Sequence, residues 1–353
     1  MRDAAALRTD LKSESPTKGR RWARISARAA WLVTIGAYIG FVFAYAYPPD
    51  FGSTSVPHVF VSWLGVVVRT MAFHLGLLLA VVGVLAAIRR RWGLVLALAP
   101  ICVFSLASQD PRWSRPPARE IDGEPVTVMT LNLMKANTDA AAVVAEVEHV
   151  DPGILLFQEH TDRWWGLLQT KLSSRFPHVH HWPARGARGV AIYSHYPFVG
   201  EVDGNLPLCD RPGSQLRAVV QIGEHEVAVY NIHMLPPSRP PKCIARRQQF
   251  THLLQHISAE TRPVILAGDF NFAGNTPYTD ALKRVGLIDV HKFQGRGRGA
   301  TWPTYGPSAW IPGWRIDHIF VSEELASGGS RVGGLVGSDH RPVIAEIGLA
   351  STP

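Results

Sequence analysis

Charge is missing from long stretches of the first third of this 353-residue chain. No Asp, Glu, Lys or Arg occurs in 29–49, 70–88 or 92–109. Runs this long and apolar argue against the surface of a water-soluble domain and approach the ~20 residues that cross a bilayer. No small-x-small cleavage site follows the first run, so a retained helix is expected rather than a cleaved leader. Carboxylates are absent from 163–200, cysteine is limited to three positions, and no internal repeat is apparent. The formal net charge of +8 invites a nucleic-acid reading. Its distribution argues against one. Residues 1–28 carry eight basic and three acidic side chains, Arg89, Arg90 and Arg91 follow, and from Gln109 onward basic and acidic residues balance at 24 each. The excess therefore flanks the apolar runs, where it marks the cytoplasmic side of a membrane.

These patterns divide the chain. Residues 1–28, polar and without apolar period, read as a disordered basic tail. Residues 29–109 are expected to hold three transmembrane helices, the last two forming a tight antiparallel hairpin turned at Arg89, Arg90 and Arg91, with Pro100 tolerated inside the third. Between the first two, 51–68 reads as a loop with a short amphipathic piece. Tail and hairpin turn on the cytoplasmic side would make this a multi-pass cell-membrane protein with its C-terminal domain outside the cytoplasm. Residues 110–125, with Pro111, Pro116 and Pro117, read as a stiff linker, and 126–353 as the soluble domain.

That domain is organised around Val264-Ile265-Leu266-Ala267-Gly268-Asp269-Phe270-Asn271, an apolar run that reads as a buried strand ending on a carboxylate and an amide. Side chains alternate along a strand, so Asp269 and Asn271 point the same way from its end. Such a pair suits a hydrated divalent metal and a phosphate, and it equally suits an ordinary Asx turn. Strands are expected over 126–134, 154–157, 189–194, 216–222, 226–233, 315–321 and 341–347, and helices over 138–150, 163–172, 244–259 and 277–285. Strand hairpins mixed with helices predict a layered α/β domain with mixed sheets. Polar residues recur at the strand ends: Asn132, Glu159, His233, Asp269 with Asn271, Asp317 with His318, and Ser338-Asp339-His340 before the last strand.

The set Asn132, Gln158-Glu159, Asn231-Ile232-His233, Gly268-Asp269-Phe270-Asn271, Arg315-Ile316-Asp317-His318 and Ser338-Asp339-His340-Arg341-Pro342 resembles the endonuclease/exonuclease/phosphatase superfamily, in that family's order. Gly189-Val190-Ala191-Ile192-Tyr193-Ser194 is similar to another of its strands. The resemblance implies a four-layer αββα sandwich, two mixed sheets flanked by helices, with the site where the loops of both sheets meet. It also implies hydrolysis of a phosphodiester or phosphomonoester by activated water, with Mg²⁺ or Mn²⁺ as cofactor. Glu159 would be the main metal ligand, Asn132 would help hold it, and Asp339 would be a second, weaker metal position. His340 would activate water with Asp317 holding its ring, Asp269 and Asn271 would position nucleophile and phosphate, and His233 would contact phosphate. His318, on the other side of its strand, is expected to be structural.

One departure is informative. Deoxyribonuclease-like members support the histidine matching His233 with a carboxylate, and 163–200 offers none. The neutral domain also lacks the clustered charge of a strong duplex binder. Arg188, Arg296 and Arg298 are candidate phosphate contacts, the last two in a Gly-Arg-Gly loop that reads equally as a solvated surface loop. Trp164, Trp165, Trp302, Trp310 and Trp314 suit the core, base stacking or lipid contact. Cys209 and Cys243 bracket the hairpin bearing His233 and, in a domain outside the cytosol, suggest a disulfide. The expected substrate is a phosphoester, nucleic acid on one reading and a phospholipid or phosphoinositide headgroup on another. A catalytically silent binding member is the competing class, and no protein partner is implied.

Overall fold

The computed structural model describes residues 16–47, 51–53, 55–109, 115, 119–182, 186–203, 215–237 and 240–351. It opens with four helices, α1 (Pro16–Ala46), α2 (Val56–Thr70), α3 (Ala72–Ile88) and α4 (Trp92–Ala107). Helix α1 starts inside the stretch read as a disordered tail, of which 1–15 lie outside the described residues. Residues 51–68 are largely helix rather than loop. Val59, Ser62, Gly65 and Arg69 of α2 are buried at helical spacing, a face too mixed in polarity to stand out in the sequence.

Three bilayer-length helices are not found among the described residues. Of the single helices described, Ile25–Ala46 alone is long and apolar enough to cross a membrane. Helices α3 and α4, 17 and 16 residues long, fall short of the ~20 required. Helices α2 and α3 reach that length only as one path bent by 61°. The hairpin itself is as expected: Arg91 N–H bonds Ala86 O at 2.8 Å to close the turn, and Leu79, Ala86, Leu94 and Leu98 of α3 and α4 bury together with Phe41 of α1.

The remainder runs β1 (Ile121–Asn132), α5 (Ala140–Val150), β2 (Ile154–Gln158), α6 (Asp162–Leu172), β3 (His178–Trp182), β4 (Val190–Ser194), β5 (Gln215–Ile222), β6 (His225–His233), α7 (Pro240–Ala259), β7 (Val264–Asp269), α8 (Pro277–Arg284), β8 (Ile288–Asp289), α9 (His291–Gln294), β9 (Asp317–Val321), β10 (Leu325–Val332) and β11 (Val343–Ala350). One sheet has the order β10-β11-β1-β2-β4-β3, the other β5-β6-β7-β9-β8. Strand β1 begins earlier than the expected Val126. Ile121 and Asp122 already pair with Ala350 and Leu349, and the register then shifts before Val126, where Gly123 and Pro125 interrupt the pattern.

The two sheets face each other across a core of alternating inward residues, such as Val128, Leu156 and Ile192 from one and Ala218, Val229 and Ile265 from the other. Met129, Leu131 and Phe157 on the outer face of the first sheet bury against Val143 and Val147 of α5 and Trp164 and Leu168 of α6. Tyr230, Leu266 and Phe320 on the outer face of the second bury against Phe250 and Leu253 of α7 and Leu282 of α8. This is the expected αββα layering. Each sheet is centred on one parallel pair joined by a helical crossover, β1–α5–β2 and β6–α7–β7. The antiparallel neighbours repeat in the same positions, so the two halves share a topology that their sequences do not display.

The expected Cys209–Cys243 disulfide is not supported among the described residues. Cys243 is a free thiol in the first turns of α7, where it lines a cavity against α2 instead of a loop beside the hairpin. Cys209 lies outside the described residues.

Candidate active site

Parallel strands end where their crossovers begin, so β1, β2, β6 and β7 deliver their last residues to one edge of the sandwich. In register, Asn132 lies beside Gln158 and His233 beside Asp269. Asp317 enters from the antiparallel neighbour, opposite Asp269. Gly268 makes this convergence possible. Its φ is +139°, and a Cβ there would stand 1.9 Å from Ile232 O, so only glycine lets β7 approach β6 and aim Asp269 inward.

The side chains form one connected network. Asn132 Nδ2 donates to Asp269 Oδ2 at 3.0 Å and lies 3.5 Å from Glu159 Oε1. Glu159, held at φ +52°, also accepts from the Lys135 N–H at 2.8 Å. Asn271 Nδ2 donates to Asp269 Oδ2 at 3.2 Å, and its backbone N–H to Oδ1 at 2.9 Å. His233 Nε2 is 3.5 Å from the same carboxylate. His340 Nδ1 pairs with Asp317 Oδ2 at 2.8 Å, which leaves Nε2 facing Asp269 at 3.9 Å. Ser338 secures the last loop by donating to Asn132 O at 2.6 Å and accepting from the His340 N–H at 3.1 Å.

The electrostatics follow from burial and from the carboxylates. Asp317 is fully buried and His340 5 % exposed. Burial works to lower the His340 pKa, but Asp317 and then Asp269 outweigh it, and the imidazole ends well above its ordinary value. Burial raises Asp317, against the pull of His340. The carboxylate at 2.8 Å favours the shared proton on the ring and outweighs the opposing effect of the dry site.

Seven expected residues are therefore together: Asn132, Glu159, His233, Asp269, Asn271, Asp317 and His340. Among the described residues, Asp269, Asp317 and His340 can bring one ligand atom each to within 4.8 Å of one another. This grouping differs from the expected metal set. Asn132 meets the carboxylates through its amide nitrogen and so orients them. The Asp339 carboxylate accepts from Trp302 Nε1 at 3.2 Å. The donor set still fits a hard divalent cation. Carboxylate oxygens of Glu159 and Asp269 converge on one amide, and Asp317 Oδ1 is buried without a hydrogen-bond partner.

The expected phosphate contacts divide. Arg188 lies in the turn before Gly189, whose carbonyl accepts from His160 next to Glu159 at 2.9 Å. Arg298 is not a clamp on this site. Its guanidinium lies 3.7 Å over the Phe73 ring of α3 and donates to Gly313 O at 2.7 Å, and burial lowers its pKa to about 10. Arg296 is exposed in the same loop and lines a separate cleft.

Other supports lie behind these residues, two of them, Gln158 and Asn231, within the motifs quoted above but without a role assigned from sequence. Gln158 Nε2 donates to Asn231 Oδ1 at 2.7 Å, and Asn231 donates to Phe157 O and Ala191 O, a polar stitch between the sheets beneath the site. Arg246 is 2 % exposed and ties Leu235 O to Phe270 O, which fixes the loops after His233 and Asp269. Its position in the stripe with Phe250, Leu253 and Ile257 is the sequence signal for that burial. His318 is structural as expected, set between Arg315 Nη1 at 2.8 Å and Phe272 O at 2.9 Å.

Comparison with known proteins agrees with this geometry. The sequence profile described as Endonuclease/Exonuclease/phosphatase family matches residues 129–340. No curated protein sequence matches the chain. An endonuclease/exonuclease/phosphatase from Beutenbergia cavernae has a similar structure, with TM-score 0.52, 22% identity, and coverage of 65% of this chain and 73% of that one. The 3' phosphatase NExo from Neisseria, bound to a product DNA hairpin, gives TM-score 0.54 and 22% identity over 63% of this chain and 98% of that one. Truncated TDP2 from Caenorhabditis elegans gives TM-score 0.53 and 22% identity over 65% and 100%.

Proposed function

Because this chain belongs to the endonuclease/exonuclease/phosphatase family, we propose that it is a divalent-metal-dependent phosphoester hydrolase held at a membrane by its N-terminal helices. The observation that carries the chemistry is the buried Asp317–His340 pair facing Asp269. Asp317 fixes the ring so that Nε2 alone handles the proton of an attacking water. Asp269 and Asn271 orient that water and the phosphate, and His233 lies within reach of the phosphate oxygens. Glu159 and Asp269 would hold Mg²⁺, or Mn²⁺ in its place. Once bound, the ion would neutralise charge on the phosphate oxygens. Helix α1, with bilayer length in Ile25–Ala46, supports attachment, and the arginines at the α3–α4 turn favour placing that turn in the cytoplasm.

The test is hydrolysis of bis-p-nitrophenyl phosphate and p-nitrophenyl phosphate by the full chain in detergent, with Mg²⁺ or Mn²⁺ and with chelator. Turnover should appear with the ions and vanish on chelation. Glu159→Gln, Asp269→Asn and His340→Ala should each lower it by about 10² or more. Full activity in a variant removes that residue from the mechanism, and activity that persists in chelator ends the metal assignment.

A further inference from the structure

Helix α2 is placed where a substrate contact would be. It lies along the catalytic domain instead of standing apart from it. Phe51, just before α2, inserts between Phe250 and Tyr278 with ring centroids 4.9 and 4.8 Å away. Arg69, near its end, pairs with Asp280 at 2.6 Å and donates to Asn275 O at 3.1 Å. Between these anchors a cavity of about 230 Å³ is enclosed by Val59, Trp63 and Val66 on one side and by Asn271, Phe272 and Ala273 on the other. Its walls are mostly hydrocarbon, yet Arg246, Arg247 and Asn271 also line it, and Asn271 donates twice to the catalytic Asp269. A pocket below the ~300 Å³ of a whole small ligand suits part of a larger one.

The opposite side of α2 is apolar and exposed at Val56, Phe60 and Leu64. A second apolar feature borders the site: Trp310, 91 % exposed, with Ile311 and Tyr305 in one loop. That loop is bonded to the site at Thr304, which donates to Asp339 O at 3.0 Å. It is bonded to the helical region at Pro312, whose carbonyl lies 2.6 Å from His74 of α3. An aromatic and an aliphatic side chain held out in this way suit the bilayer interface. Through Pro312 and His74 their loop adjoins the helical body that includes the bilayer-length α1.

From this arrangement we propose that the substrate is a membrane lipid phosphoester. Its phosphate reaches the Asp269–His340 centre while part of its hydrocarbon chain enters the slot beneath α2. The inference rests on the phosphoesterase reading above and narrows it.

The experiment measures full-length enzyme in detergent or nanodiscs with Mg²⁺. Probes are phosphatidylcholine vesicles containing phosphatidic acid or phosphatidylglycerol, a single-stranded oligonucleotide, and bis-p-nitrophenyl phosphate. One of the two lipid esters should be cleaved faster than the oligonucleotide. Val66→Trp, which fills the slot, should lower the ratio of lipid to soluble-ester turnover by about tenfold. Trp310→Ser should lower the same ratio with no loss of thermal stability. Soluble-ester cleavage with no lipid cleavage, faster oligonucleotide cleavage, or an unchanged ratio in Val66→Trp would overturn the lipid assignment alone. Loss of every activity in the unmodified protein would count against the hydrolase reading itself.

Discussion

His340 keeps a proton in a place that otherwise expels charge. Burial opposes the imidazolium, and the carboxylates of Asp317 and Asp269 restore it. In metal-free protein the ring should therefore stay protonated at pH 7.5, where an ordinary histidine is neutral. Nitrogen NMR of labelled histidines reads this directly, and Asp317→Asn should shift the titration to lower pH. A neutral ring in the unmodified protein would show that burial prevails. Gly268 makes a different contribution, that of an absent side chain. Gly268→Ala puts a methyl into the Ile232 carbonyl at a φ that L-residues avoid. The expected cost is more than about 2 kcal/mol of stability, with Asp269 displaced. Thermal melting and phosphoesterase turnover should fall together, and a variant as stable as the parent would remove the steric assignment.

Elements were legible in the sequence where one pattern dominated. Strand β7 announced itself by an unbroken apolar run, and β5 and β6 by alternation around Gly223-Glu224-His225. Strand β10 was not legible, since Leu325-Ala-Ser-Gly-Gly-Ser-Arg-Val has the composition of a loop. It is a strand because β11 supplies a partner edge, with a register shift at Gly328. Helix α2 was missed for a related reason: its partner is the catalytic domain, and its buried face mixes Val59 with Ser62 and Arg69. The site residues were readable from type and order, as they stand at strand ends. Their second tier was not. The burial of Arg246 is signalled by its place in the α7 stripe, but its bonds and those of Asn231 go to backbone carbonyls of distant segments, which no local pattern encodes. Asp339 adds a partner that the sequence did not announce, the indole of Trp302, which donates to its carboxylate.

At the scale of the whole molecule, charge separates into a basic helical body and a neutral catalytic domain. The domain nevertheless buries titratable groups. Desolvation lowers the His160 pKa to about 3 and that of His291 to about 4. Both fold as neutral rings, so below their unfolded value of ~6.5 the unfolded chain binds more protons, and stability falls as pH drops from there toward 4. Each should remove about 2 kcal/mol by pH 5. Thermal melts of the full chain at pH 7.5 and pH 5 should show a clear drop, reduced in His160→Phe. Equal melting temperatures at the two pH values would mean that these rings are not held neutral.

The contact between Arg69 and Asp280 joins the two bodies at the edge of the catalytic mouth, and Phe51 repeats the junction at the other end of α2. Seated this way on a bilayer, the enzyme would search for substrate in two dimensions. Its rate would then follow the mole fraction of ester in the lipid surface, and adding inert phosphatidylcholine at constant ester would slow it, although the bulk ester concentration had not changed.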